Sequence, residues 1–105
     1  MIRPSIARSI LFVCDIQERF RPLILNYETV IRNSRFLMDC AKDLSIPILV
    51  TEQNSKVLGQ TVNELGVRTA GDMADNSKIF EKKLFSMMTP EGKMRIHTCL
   101  YAYRT

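Results

Sequence analysis

At 105 residues, 46% hydrophobic and 25% charged, the chain has the size and make-up of one soluble globular domain at most. No apolar run approaches the ~20 residues needed to cross a bilayer, and the longest runs, Ile10–Cys14 and Ile46–Val50, have the length of buried strands. The net charge of +4 comes from basic residues scattered among eleven acids, with only Lys78, Lys82 and Lys83 grouped; specific nucleic-acid binders concentrate charge on one face and add stacking aromatics, so no specific nucleic-acid partner and no membrane partner are expected.

The chain opens on Arg3, Ser5, Arg8 and Ser9 with no acid among the first nine residues. The apolar run that follows is too short for a signal peptide and ends in Cys14-Asp15 without a small-residue cleavage site. The expectation is a cytoplasmic protein, with a mitochondrial presequence left open. Cys14, Cys40 and Cys99 are odd in number and far apart, which suits reduced thiols better than a disulfide framework or a zinc site.

Ile10–Cys14 is a continuous apolar run of strand formers closed by Asp15, as expected of a strand covered on both faces in a parallel sheet. Polar residues and Pro22 follow. From Tyr27 to Leu44 the period becomes helical: Val30, Ile31, Ser34, Leu37, Met38, Ala41 and Leu44 form one mostly apolar stripe, opposite Glu28, Arg32, Arg35, Asp39 and Lys42. Asn26 is placed as its N-cap, Glu28 suits the positive end of the helix dipole, and Pro47 stops the helix by disfavouring helical geometry at Ile46. Ile48–Val50 is the second strand, ending in Thr51, Glu52 and Gln53. Strand, helix and strand make a βαβ unit, whose strands are parallel and share one carboxyl edge.

Asn54 to Ser77 reads as loop, with a short helix near Thr61–Leu65 and turns at Gly59, Gly66 and Gly71. Lys78–Glu81 is a short third strand with Lys82 at its end, and alternation over residues 95–102 suggests a further strand. The fold class is therefore α/β, a parallel sheet flanked by helices. The methionines, Met38 on the helical stripe among them, are read as gap-filling core residues.

Open parallel sheets bind ligands beyond the carboxyl ends of their strands. Asp15, Glu52, Gln53 and Lys82 are delivered to that edge. A carboxylate and an amine converging there stabilise each other's charge and can move a proton. Solvated loop residues would have the same composition, and spacing alone does not separate the two readings.

The residues themselves carry a resemblance. FVCDIQERFRP (Phe12–Pro22), ILVTEQNSKVLGQTVNELG (Ile48–Gly66) and IFEKKLFSMM (Ile79–Met88), in order, resemble the isochorismatase-like hydrolase family over residues 10–90. The resemblance implies a parallel sheet between helices, with an Asp, a Lys and a Cys at the active site and no cofactor. Asp15 matches the acid and Lys82 the lysine, three positions before Phe85; Phe20 matches an aromatic near the pocket and is taken with Gln53 as a substrate-binding candidate. Gln17 is assigned to structure. In the family's amidases the aspartate takes the proton of the thiol, the lysine holds the charge arrangement, and the thiolate attacks a carbonyl; isochorismatases proper hydrolyse a vinyl ether, with the acid as the key group. The motifs do not say which small molecule is the substrate.

The sequence also departs from that pattern. No strand-Gly-x-Cys arrangement follows Lys82, so the family's nucleophile is missing from this chain and residues 91–105 read as a divergent tail on a partial, N-terminal half of the domain. Cys99 lies within a possible strand, Cys14 is expected in the core with its side chain on the face opposite Asp15, and Cys40 packs beside the helical stripe. The metal-binding Asp-x-His of nicotinamidase relatives is replaced by Thr51-Glu52-Gln53-Asn54-Ser55, and the single histidine, His97, is a tail residue, so no metal is expected. Two expectations follow: a small-molecule hydrolase inactive as this chain alone, or a non-catalytic short isoform or fragment that oligomerises or associates with full-length copies through an exposed sheet edge.

Overall fold

A computed structural model describes residues 5–68, 78–84, 86 and 90. Its centre is a three-stranded parallel sheet of β1 (Leu11–Cys14), β2 (Ile48–Gln53) and β3 (Lys78–Lys82), in the order β1-β2-β3. Val13 pairs with Val50, and Val50 in turn with Ile79. β2 lies between the other two and runs three residues past the expected Val50, because Thr51, Glu52 and Gln53 pair with Phe80, Glu81 and Lys82. A polar tail that reads as loop in isolation thus becomes strand once a partner supplies its backbone hydrogen bonds.

Helix α1 (Tyr27–Asp43) crosses from β1 to β2, as the apolar period predicts. Its start differs from the expected cap. Asn26 is left-handed (φ 57°) and its side chain makes no capping bond; its carbonyl accepts from the Thr29 and Val30 amides instead. At the other end the Leu44 and Ser45 amides donate to the Cys40 and Lys42 carbonyls, and Ser45 turns left-handed (φ 56°) before Pro47.

The helix packs Tyr27, Ile31, Met38 and Ala41 against Val13, Ile48 and Val50, and Val62, Leu65 and Val67 close the same cluster. The expected stripe is therefore split: Ile31, Met38 and Ala41 are buried, whereas Val30, Leu37 and Leu44 are exposed. On the other face of the sheet, Leu49 and Phe80 form a second cluster with Ile10.

After β2 the chain forms a short helix α2 (Ser55–Leu58), which the sequence had not suggested, and the helix expected near Thr61–Leu65 is a single 3-10 turn at Asn63–Leu65. Gly59 has φ 78°, and a Cβ there would come within 3.3 Å of the Glu18 Cβ, so the loop needs glycine to lie against the 3-10 turn at Glu18–Phe20. Gly71, the alternating segment 95–102, Met73, Met87, Met88, Met94, His97 and Cys99 lie outside the described residues.

Candidate functional site at the carboxyl edge of the sheet

β1 ends where Asp15 takes a left-handed conformation (φ 57°), its amide still donating to the Thr51 carbonyl. That conformation cancels the expected alternation: the Asp15 side chain does not point away from the face carrying Cys14 but turns back toward it. Asp15 Oδ1 accepts from Thr51 Oγ1 at 2.8 Å, and Oδ2 accepts from Lys82 Nζ at 2.8 Å. Lys82 Nζ also donates to the Leu84 carbonyl at 2.9 Å. Thr51 pairs with Cys14 and Phe80, and Gln53 with Lys82, so these side chains share one sheet face.

The ammonium is the more enclosed partner. The Lys82 side chain is 1% exposed and that of Asp15 21%. A charge so deeply placed depends on its counter-ion and hydrogen bonds. The carboxylate, with one hydrogen bond on each oxygen and part of its surface open, keeps lone pairs to offer a substrate. The arrangement can therefore take or return a proton beside a fixed positive charge.

Cys14 lies next to this pair and is exposed, not in the core as expected, because α1 covers only the opposite face of β1. Desolvation and then the Asp15 carboxylate push its thiol up from its ordinary value, with Lys82 pulling the other way. That direction favours the protonated thiol over the thiolate. Cys40 is half-buried on α1.

Of the other expected site residues, Gln53 sits beside Lys82 on the shared face, while Phe20 is half-buried and packs against the α1-side core. Glu52, the neighbouring acid at this edge, is directed elsewhere. It is buried on the α1 side, accepting from the Thr61 amide (2.6 Å), Thr61 Oγ1 (2.7 Å) and both terminal nitrogens of Arg68 (2.8 and 2.6 Å). Desolvation opposes its ionisation, but Arg68 and Thr61 outweigh it and hold the carboxyl below the ordinary carboxylate range.

Gln17 fastens the site to its scaffold. Fully buried, it accepts from the Gln53 amide and donates to the Gln53 and Gly59 carbonyls, so its side chain serves β2 as one more strand partner would. Arg21 meets Glu18, Glu28 and Glu64, tying the segment after Asp15 to the start of α1 and to the 63–65 turn. No sequence signal marked Thr51, Arg68 or Arg21. Each acts through a partner at least sixteen residues away in its defining contact. Among the described residues no group of three or more His, Cys, Asp or Glu could hold a metal ion, and no helix is long and apolar enough to cross a membrane.

The fold is that of an open parallel α/β protein, with an acid and a lysine meeting at the edge where such sheets bind ligands. No family model matches the chain. It is, however, 42% identical over 83 residues to isochorismatase domain-containing protein 2 of Xenopus laevis, covering 79% of this chain and 37% of that protein. It is 40% identical over 90 residues to the secreted isochorismatase effector Isc1 of Phytophthora sojae, covering 86% of this chain and 42% of that protein. Among solved structures it superposes on the MAR1 ribonuclease from Caenorhabditis elegans with a TM-score of 0.78 at 43% identity, covering 89% of this chain and 46% of that one. The chain belongs to the isochorismatase-like family and spans about two fifths of the length of the curated relatives it matches.

Proposed function

We propose that this chain carries the acid–base half of a hydrolase site of isochorismatase type, with a small molecule as substrate. The 2.8 Å contact between Asp15 and Lys82, 67 residues apart in sequence, carries this reading. In an amide hydrolysis the Asp15 carboxylate accepts the thiol proton of a cysteine supplied by the part of the family domain outside the stretch matched here. The thiolate then attacks the carbonyl carbon, the C–N bond breaks as Asp15 returns that proton to the leaving amine, and water hydrolyses the thioester, while the fixed ammonium of Lys82 keeps the carboxylate placed. In a vinyl-ether hydrolysis Asp15 acts instead as the acid. Gln53, on the face of Lys82, contacts the substrate, while Phe20 supports the segment after Asp15 from the α1 side.

A second reading is supported by one observation, the likeness to a protein that is a ribonuclease. Cleavage of RNA by transesterification draws its nucleophile from the substrate. The ribose 2′-hydroxyl gives its proton to Asp15 and attacks the adjacent phosphorus, the P–O5′ bond breaks with the 5′-oxygen taking a proton from water, and Lys82 balances charge on the phosphoryl oxygens. The product is a 2′,3′-cyclic phosphate.

A chimera joining this chain to the unmatched part of the Xenopus relative tests both. It is assayed on a primary carboxamide, on isochorismate and on a single-stranded RNA oligonucleotide, before and after thiol alkylation. Small-molecule turnover that is abolished by alkylation, by Asp15→Asn and by Lys82→Ala supports the first reading. RNA cleavage that survives alkylation but not Asp15→Asn replaces it with the second. Activity undiminished in both variants overturns the site assignment.

A further inference from the structure

Asp15 holds its carboxylate toward Thr51 and Lys82 from a left-handed backbone (φ 57°), a conformation that a residue with a side chain keeps only where neighbouring contacts hold it. The residues just after it are held from several sides. Residues 16–18 lie against 60–62: the Val62 amide donates to the Ile16 carbonyl, the Glu18 amide donates to the Gln60 carbonyl, and Gln17 faces Thr61 between them. In an antiparallel bridge of that kind the central residue turns its own amide and carbonyl away from the partner segment. The Gln17 amide turns back to donate to the Asp15 carbonyl at 3.1 Å. The Gln17 carbonyl meets helix α1, where it accepts from the Tyr27 hydroxyl at 3.0 Å.

Tyr27 is the first residue of α1 and is 5% exposed. Its ring belongs to the core cluster, where a phenylalanine would pack as well; the hydroxyl adds the hydrogen bond to Gln17. Burial pushes its phenol up from the ordinary value, so the group stays a donor at neutral pH. The Gln17 side chain ties this residue to Gln53 and Gly59, and Tyr27 adds the helix layer. The path from α1 to the carboxylate is therefore short. It runs from Tyr27 to the Gln17 carbonyl, and from the Gln17 amide to Asp15.

We propose that Tyr27 is a positioning residue for the candidate site: by holding Gln17 from α1, its hydroxyl keeps Asp15 in the left-handed turn that sets the carboxylate between Thr51 and Lys82. The consequence for turnover rests on the reading of Asp15 as the base of the site. The consequence for where the carboxylate stands does not.

The test compares Tyr27→Phe with Ile31→Val, a packing change on the same helix that leaves the Gln17 hydrogen bond in place. In the 105-residue chain, nuclear magnetic resonance reads the carboxyl carbon of Asp15, assigned by its loss in Asp15→Asn, and hydrogen exchange reads the Gln17 amide. Tyr27→Phe shifts the carboxyl resonance and speeds that exchange about tenfold; Ile31→Val leaves both at their original values. In the chimera, Tyr27→Phe lowers kcat about tenfold with KM unchanged, and in the Asp15→Asn background it causes no further loss. Resonance and exchange unmoved by Tyr27→Phe, moved equally by Ile31→Val, or moved with kcat undiminished overturns the proposal. A chimera without turnover whose resonance and exchange respond as expected leaves the hold of Tyr27 on Asp15 standing and strikes the reading of Asp15 as a base.

Discussion

Two acid–base pairs sit side by side at the carboxyl edge of the sheet, anchored on consecutive residues of β2. Thr51 donates to Asp15, which meets Lys82 on one face; Glu52 meets Thr61 and Arg68 on the other. Both couple a carboxylate, a threonine hydroxyl and a cation, yet they are built for opposite ends. Glu52 is 4% exposed and takes four donors, three on Oε2 and one on Oε1, so burial and these bonds together close it to a ligand. In the Asp15 pair it is the cation that is buried, while the carboxylate keeps an open side. Which partner is enclosed separates a clamp from a reactive group: a saturated carboxylate holds structure, and an unsaturated one beside a fixed charge can exchange protons.

Substitutions at the two acids sharpen that contrast. Asp15→Asn keeps an acceptor for Thr51 and Lys82 and removes the base, so turnover of the chimera falls by about 10²–10⁴-fold, measured as kcat/KM. Its stability, read from urea unfolding, also falls, by about 3 kcal/mol, because the buried Lys82 ammonium loses its counter-ion. Glu52→Gln costs stability and leaves turnover in place. It leaves Arg68 without its bidentate partner and Thr61 with a weaker acceptor, costing about 2–3 kcal/mol of stability after allowance for the partly exposed guanidinium. Equal losses of turnover in both variants would erase the distinction.

Acid titration probes the clamp in its own terms. Native Glu52 binds its proton less readily than the unfolded chain does, so the pairing contributes fully above about pH 4.5 and is lost as the pH falls through the depressed native value. The Glu52→Gln protein, followed by circular dichroism, should show a shallower loss of stability in that acidic window. No such difference should appear at neutral pH beyond the constant offset.

Thr51→Val removes one neutral donor from Asp15 at a fully buried position and costs about 1 kcal/mol, read from the same unfolding curves. The smallest effect is at Cys14. Its raised thiol alkylates more slowly in the folded chain than in urea at pH 7, and Cys14→Ser leaves chimera turnover unchanged. Fast alkylation of folded Cys14 would place a reactive thiol beside Asp15 and reopen the question of the nucleophile.

Much of this was legible in the order of residues. The apolar runs at Ile10–Cys14 and Ile46–Val50, the helical period between them and the parallel pairing follow from local periodicity and the right-handed crossover. So does the delivery of Asp15 and Lys82 to one edge, since the strands run parallel and both residues stand at strand ends. The split of the α1 stripe was not legible, because period reports which residues share a side of a helix and not how much of that side a neighbour covers.

What only the tertiary structure decided was the division of labour among polar groups. By spacing alone Glu52 stood beside Asp15 as an acid at the same edge, and Cys14 was core. Arg68 and Thr61, met through a loop, turned Glu52 into a clamp, and the left-handed turn at Asp15 swung its carboxylate onto the face of Thr51 and Lys82. Hydrophobic pattern is local and repeats along the chain, so the sequence determined the strands, the helix and the sheet edge where chemistry gathers. Hydrogen-bond saturation depends on groups brought from tens of residues away, and only the assembled fold says which carboxylate is left with something to give.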